Sequence, residues 1–256
     1  VKVEGLAQDI TLQVDAEKNH KGQNKELKKV NNELAQFVYK TVHDLRAPLT
    51  NLMGLLGLMR TEMDRNILSS YFDLQEKSIE RLDTFVQKIT TYTKNRRLPL
   101  SNQPLDLKTL IDNVLNDHNF ITNSERATKI VEIQKDTIFY GDEERISIIL
   151  NNLVSNAVKF IDLDKEESTI KIKVTTKDDE LRIAVWDNGQ GIPKNIQPKI
   201  FDMFYRGSRQ ADGAGIGLYI LKETVESLGG RVRLTSVPKE FTEFNIYLLN
   251  NYVADN

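Results

Sequence analysis

The chain has 256 residues, enough for one large domain or two ordinary ones, and 39% hydrophobic and 28% charged residues place it among folded globular proteins. A formal net charge of -2 excludes the basic excess that general nucleic-acid binding shows, so a DNA-binding regulator finds no support. The absence of cysteine excludes a disulfide framework and a thiolate zinc site, and suits a reducing, cytoplasmic compartment.

The longest apolar run, Leu52 to Met59, is too short to cross a bilayer, which needs about 20 residues. No signal-peptide pattern opens the chain. Val1 and Val3 alternate as in a strand, and the sequence reads as a fragment of something longer, with an upstream membrane segment left open.

From Asn24 to Arg97 the pattern predicts helix almost throughout. Leu27, Val30, Leu34, Phe37 and Thr41 recur three and four apart, the seam of a coiled coil. The stripe resumes out of phase at Leu45, Leu52, Leu55 and Met59, as when a two-stranded seam opens into a wider bundle. A polar break at Thr61 to Asn66 precedes a second helix with Tyr71, Leu74, Leu82, Phe85, Ile89 and Tyr92 on one face. Two such helices cannot bury these stripes alone, so a homodimer forming a four-helix bundle is expected; a monomeric bundle covered by a later helix is the alternative.

Pro99 and Pro104 mark Leu98 to Asp106 as a linker. Beyond it the sequence predicts a helix over Leu107 to Leu115, short strands at Ile130 to Ile133 and Ile138 to Tyr140, and a strong helix over Glu143 to Phe160. A hairpin follows, Ile170 to Thr176 with Leu181 to Trp186, then a helix from about Gly217 to Leu228 and a strand pair at Arg231 to Ser236 and Glu243 to Leu248. This mixed order indicates an α+β layer architecture rather than a doubly wound parallel sheet.

Several segments carry residues suited to chemistry. His43 lies about 200° round the helix from Thr41 and from Leu45, so it faces away from their seam. It is either a solvated histidine without a role or a nucleophile whose imidazole N–H is accepted by Asp44. Pro48, one turn on, is expected to bend or loosen the helix at a cost of about 3 kcal/mol. On the helix over Glu143 to Phe160, Asn152, Asn156 and Lys159 share one stripe beside an apolar stripe of Ile149, Leu153, Ala157 and Phe160. Two amides and an ammonium suit a magnesium–phosphate group, with Asn156 as metal ligand; an ordinary amphipathic surface helix is the alternative.

Asp187-Asn188-Gly189-Gln190-Gly191 follows a strand and reads either as a hairpin turn or as a carboxylate awaiting an exocyclic amino group such as that of adenine. Phe201, Phe204 and Arg206 precede a polar loop, roughly Gly207 to Asp212, read either as a nucleotide lid that is mobile without nucleotide or as a plain surface loop. Gly213-Ala214-Gly215-Ile216-Gly217-Leu218 runs into a helix, where unpaired N–H groups favour phosphate. It is neither a P-loop nor a dinucleotide fingerprint.

Taken in order, these segments resemble the boxes of the histidine kinase family. The stretch around His43 is similar to the H box, Asn152 to Phe160 to the N box, Asp187 to Gly191 to the first glycine box, Phe201 to Arg206 to the F box, and Gly213 to Gly217 to the second glycine box. The resemblance covers most of residues 25 to 250. It implies a coiled coil and helical phosphotransfer hairpin over 24–98, then an α/β-sandwich ATP-binding domain of the Bergerat (gyrase, heat-shock-90, histidine kinase) type over 105–250. It assigns the phosphoacceptor to His43, adenine recognition to Asp187, the principal Mg²⁺ ligand to Asn156, and phosphate-side positions to Asn152 and Lys159. Gly189, Gly191, Phe204, Arg206, Gly213, Gly215, Gly217 and Leu218 complete the implied ATP site.

A separate receiver domain of a response regulator is the implied acceptor of the phosphoryl group. Residues 1–23, with Gly5 to Thr11, resemble the exit of a PAS sensor domain. Two positions depart from the family pattern. Family members with phosphatase activity carry Thr or Asn four residues after the histidine, where this chain has Ala47; and the glycine-rich turn before the last strand is here Pro238-Lys239-Glu240-Phe241. A catalytically silent scaffold of the same fold and an ATP-driven machine of the gyrase type are the competing functional readings. Intact His43, Asn156 and Asp187 argue against the first, and the H box against the second.

Overall fold

The computed structural model describes residues 28, 35, 38, 39, 41–118, 124–177, 179–207 and 215–250, without the side chains of 96 and 97. The sensor remnant over 1–23, most of the coiled coil before residue 41, the loop over 208–212 and Gly213 lie outside the described residues. The chain divides into two compact units, Val1–Leu82 and Asp83–Asn256, each taken here by itself.

In the first unit, helix α1 spans 41–59 and runs through Pro48 without interruption. Proline forfeits only its own N–H, one bond in a ladder that the neighbouring turns maintain, so the bend or loosening expected there does not end the helix. The polar break ends earlier than the sequence suggests. Glu62 Oε1 accepts the N–H groups of Met63 and Asp64, and Asp64 Oδ1 accepts those of Asn66 at 2.7 Å and Ile67 at 3.3 Å. Asp64 thereby caps helix α2, Arg65–Arg97. Leu45, Leu52, Leu55, Met59, Tyr71 and Leu82 are half-buried, whereas Leu74, placed on the same face by the sequence, is 48% exposed. Leu49, Met53, Leu56, Phe72 and Ile79 are also exposed, more apolar surface than a hairpin leaves scattered.

The second unit takes the C-terminal part of α2 and everything after it. Its elements are β1 (Gln103–Pro104), α3 (Leu107–Asp117), β2 (Ala127–Lys135), β3 (Tyr140–Gly141), α4 (Glu143–Lys159), β4 (Ser168–Lys177), β5 (Glu180–Asp187), α5 (Gly217–Ser227), β6 (Arg231–Val237) and β7 (Phe241–Leu249). β1 and β3 form a small antiparallel pair; the main sheet has five strands in the order β2-β4-β5-β7-β6, with β2 parallel to β4 and the other pairs antiparallel. Period-2 alternation decides its two faces. Ile170, Ile172 and Val174 of β4, Leu181, Ile183 and Val185 of β5, and Phe244, Ile246 and Leu248 of β7 are buried against α3, α4 and α5. The opposite face is polar and aromatic, with Lys171 5.0 Å above the Trp186 ring and Arg231 4.5 Å above Tyr247. One covered face and one wet face make an α/β sandwich, as the sequence implies.

Strand β2 is longer than the short segment read from the sequence, and the Ile138 segment pairs only at Tyr140 and Gly141. β2 is an edge strand with mostly exposed residues, so the apolar alternation that marks β4 and β5 is weak there. Phe160 leaves the apolar stripe assigned to it: α4 stops at Lys159, and Phe160 is its C-cap, 38% exposed.

A buried ion pair ties the end of α2 to the start of α4. Asp142 caps α4 by accepting the Arg145 N–H at 2.9 Å and also pairs with the Arg145 guanidinium. That guanidinium donates to the carbonyls of Asn95 at 2.9 Å and Leu98 at 2.7 Å. Asp142 accepts from the Ser101 N–H at 2.9 Å. With side chains only 6% and 4% exposed, neither charge tolerates loss of its partner. Arg145→Met is therefore expected to lower stability by roughly 3–5 kcal/mol, read as a fall in the urea midpoint; a loss below about 1 kcal/mol would contradict the buried clamp.

Candidate active site

Helix α4 is amphipathic in an unusual sense. Ile146, Ile149, Leu150, Leu153, Val154, Ala157 and Val158 are buried, while Asn152, Asn156 and Lys159 line a cleft of about 2060 Å³. The Asn152 Nδ2 donates to the Ile148 carbonyl at 2.8 Å, which turns its oxygen outward. That oxygen stands against Gly217 at the first residue of α5, where an added Cβ would lie 2.8 Å from it. The N-cap of α5, Ile216, offers no side-chain hydrogen bond, so the first-turn N–H groups are free of a cap. Gly215, Gly217 and Leu218 all line the cleft, together with Arg206. A helix N-terminus, an arginine and a lysine facing two amides form a surface suited to phosphate.

The Asn156 amide has a buried Nδ2 with no partner among the described residues. An amide can be turned end for end to present its oxygen instead, so this position fits an absent polar group better than it fits closed packing. Among the described residues there is no cluster of three or more His, Asp or Glu for a metal. A magnesium ion arriving on phosphates, needing only one or two protein oxygens, is compatible with Asn156 and Asn152.

At the other end of the sheet, Asp187 closes β5 between Ile170 of β4 and Thr242 of β7. It is 7% exposed, and burial pushes its carboxyl up to about 7, against the N–H of Gly189, which donates to Oδ1 at 2.9 Å. No hairpin follows; the loop is pinned elsewhere. The Gln190 N–H donates to the Phe160 carbonyl at 2.9 Å, and the Lys239 N–H to the Gln190 carbonyl at 2.7 Å. These bonds draw the loop against the end of α4 so closely that a Cβ at Gly189 would sit 2.3 Å from the Phe160 oxygen. Gly191 has φ +65°, and a Cβ there would meet the Val237 oxygen at 2.1 Å. In the turn Pro238 to Phe241, Lys239 stands at φ 63°, a left-handed position that glycine would occupy more cheaply.

Of the implied ATP-site residues, Asn152, Asn156, Lys159, Gly191, Arg206, Gly215, Gly217 and Leu218 share the cleft. Asp187, Gly189 and Phe204 do not line it, although Thr242, the register partner of Asp187, does. Phe201 packs against the core, edge-on to Phe244 with ring centroids 6.2 Å apart. Two lining residues carry no signal in the sequence, Thr242 beside Asp187 and Lys88 on α2. The first is found only through strand register, the second only through tertiary packing.

His43 belongs to the first unit. Its side chain is 70% exposed, as its angle on the helix implies, and Nδ1 lies 3.0 Å from Asp44 Oδ1. A carboxylate can only accept, so Nδ1 carries the hydrogen and Nε2 keeps an outward lone pair. Ala47, one turn on, is exposed and offers no hydrogen-bonding group.

Residues 141–251 match the family model described as "Histidine kinase-, DNA gyrase B-, and HSP90-like ATPase". The sensor protein kinase WalK of Staphylococcus haemolyticus is 29% identical over 239 residues, covering 90% of this chain and 39% of the relative. The chain thus spans about two fifths of the length of such relatives. In structure it is similar to histidine kinase ThkA in complex with response regulator protein TrrA (TM-score 0.67, 24% identity, 95% of this chain and 68% of that one). It is also similar to full-length ShkA in complex with AMPPNP (TM-score 0.61, 24% identity, 83% of this chain and 45% of that one). Among the described residues no helix is long and apolar enough to cross a membrane.

The raised Asp187 carboxyl has a signed consequence. Between pH about 4 and 7 the folded chain holds a proton there that the unfolded chain has lost, so stability falls as pH rises through that window. The difference in urea midpoint between the native chain and Asp187→Asn is expected to move against the native chain as pH rises from 5 to 8. A constant difference would contradict the assignment.

Proposed function

We propose that the chain is a sensor histidine kinase that binds Mg-ATP in the α4–α5 cleft and transfers the γ-phosphoryl group to His43. The observation that carries this reading is the juxtaposition of Asn152, Asn156 and Lys159 on α4 with the uncapped N-terminus of α5 at Gly217. Asp187 accepts the adenine amino group at the sheet end, and the pinned glycine loop lets the base come close. Asn156, with Asn152, holds the magnesium ion, which supplies charge neutralisation to the phosphates. Lys159, Arg206 and the α5 N–H groups, including that of Gly217, bind the phosphate tail, with Gly213 at the start of the same loop. His43 Nε2 attacks γ-phosphorus; the N–P bond forms as the bond to the ADP oxygen breaks. The positive charge on the ring is met by Asp44 at Nδ1.

In this reading residues 1–23 are the end of a PAS-like sensor, 24–98 the coiled coil and phosphotransfer hairpin, and 105–250 the catalytic domain. The exposed apolar residues of α1 and α2 are covered by a second copy, giving a homodimeric four-helix bundle in the cytoplasm. The phosphoryl group passes from His43 to an aspartate of a response regulator receiver domain, the class of partner that ThkA holds in its complex.

Incubation with γ-labelled ATP and Mg²⁺ tests this directly. Acid-labile, alkali-stable label is expected on the native chain, none on His43→Gln, and a loss of about a hundredfold or more on Asn156→Ala. Label persisting on His43→Gln would overturn the phosphoacceptor, and nucleotide binding without label would favour the silent scaffold. A second expectation follows from Ala47, which has no group to orient a water molecule. Adding the chain to a phosphorylated receiver is expected to leave its dephosphorylation rate nearly unchanged; a strong acceleration would contradict that.

A further inference from the structure

Within the second unit, the C-terminal part of α2 forms a wall of the nucleotide cleft. Thr84, Gln87, Lys88, Thr91 and Asn95 all line it, at spacings that place them on one helical face. The helix is fixed there by several contacts. Phe85 and Tyr92 are buried, the Tyr92 and Tyr219 rings lie 5.8 Å apart, and Asn95 Nδ2 donates to Thr224 Oγ1 at 2.6 Å. Arg145 of α4 grips the Asn95 and Leu98 carbonyls. From that grip, seven residues back along α2 is Lys88, and seven residues forward along α4 is Asn152. At about 1.5 Å per residue both lie about 10 Å from the clamp, and both line the same cleft.

Lys88 has no hydrogen bond or ion pair among the described residues, and burial lowers its ammonium below the usual lysine range. Acidic residues also line the cleft, Asp117, Glu144 and Asp162 among them, yet none pairs with it. A desolvated cation without a counter-ion is costly, and an anion in the cleft removes the cost. Lys159, Arg206 and the α5 N-terminus face the same space, so the ligand with matching charge is the triphosphate tail.

We propose that Lys88 is a phosphate-binding residue of the nucleotide cleft, supplied by α2 rather than by the ATP-binding sandwich. This rests on the nucleotide reading above and extends it: affinity for the phosphate tail depends on α2 being held against α4. Calorimetric titration of the full chain, Lys88→Met and Lys88→Arg with Mg-ATP and with adenosine tests it. Lys88→Met is expected to raise the Kd for Mg-ATP about fivefold to twentyfold, with adenosine affinity unchanged and Lys88→Arg close to the native chain. Lys88→Met should fold, with a urea midpoint no lower than native, because it removes a desolvated charge. If the native chain binds Mg-ATP and Lys88→Met matches it within about twofold, or loses adenosine to the same degree, Lys88 has no phosphate role and the nucleotide reading stands. If the native chain binds neither ligand, the nucleotide reading itself fails, and the Lys88 role with it.

Discussion

Helix α4 has to satisfy two demands at once. Its buried side, from Ile146 to Val158, fills the space between the sheet and the flanking helices. Its other side holds two asparagines and a lysine that cannot be sealed into that core without partners. The fold meets both demands by leaving a cleft along α4 and surrounding it with groups of opposite preference: the α5 N-terminus, Arg206 and the polar face of α2. Rotating α4 about its axis would carry Asn156 into the core and part of the buried apolar face into the cleft, so the core fixes where the amides point. The orientation of these amides is thus a by-product of core packing.

The same logic holds at the sheet end. Asp187 sits where β5 leaves its partners, and a carboxylate there is desolvated on the side facing the core. Among the described residues its side chain accepts one hydrogen bond, from Gly189, which leaves accepting capacity unused. The glycine loop is not a free turn; it is bonded to the end of α4 through Phe160 and to the β6–β7 turn through Lys239. The end of β5 at Asp187 and the end of α4 are therefore joined through a single short loop. The clamp of Asp142 and Arg145 extends that connection to α2, so the helix that leads into the domain also bears on the cleft.

Much of this was legible before any coordinates. α4 could be read in full because its apolar and amide stripes have helical period, and β4 and β5 because their alternation is strict. The family resemblance supplied roles for His43, Asn156 and Asp187 that spacing alone left open. The failures have physical causes. Edge strand β2 buries little, so its length was invisible, and Phe160 looked apolar but caps the helix. Thr242 and Lys88 were unreadable in principle. One reaches the cleft through a strand register and the other through the packing of a helix distant in sequence.

The central claim is that Asp187 and the α4 amides serve one adenine nucleotide, with Asp187 accepting from the amino group of its base. Equilibrium titration with Mg-ATP and with Mg-ITP, whose base carries a carbonyl where adenine carries the amino group, separates that claim from general anion binding. The account predicts saturable binding of ATP and binding of ITP weaker by at least about tenfold, since a buried acceptor would face another acceptor. Equal affinity for the two would contradict the role given to Asp187 and leave only a phosphate site.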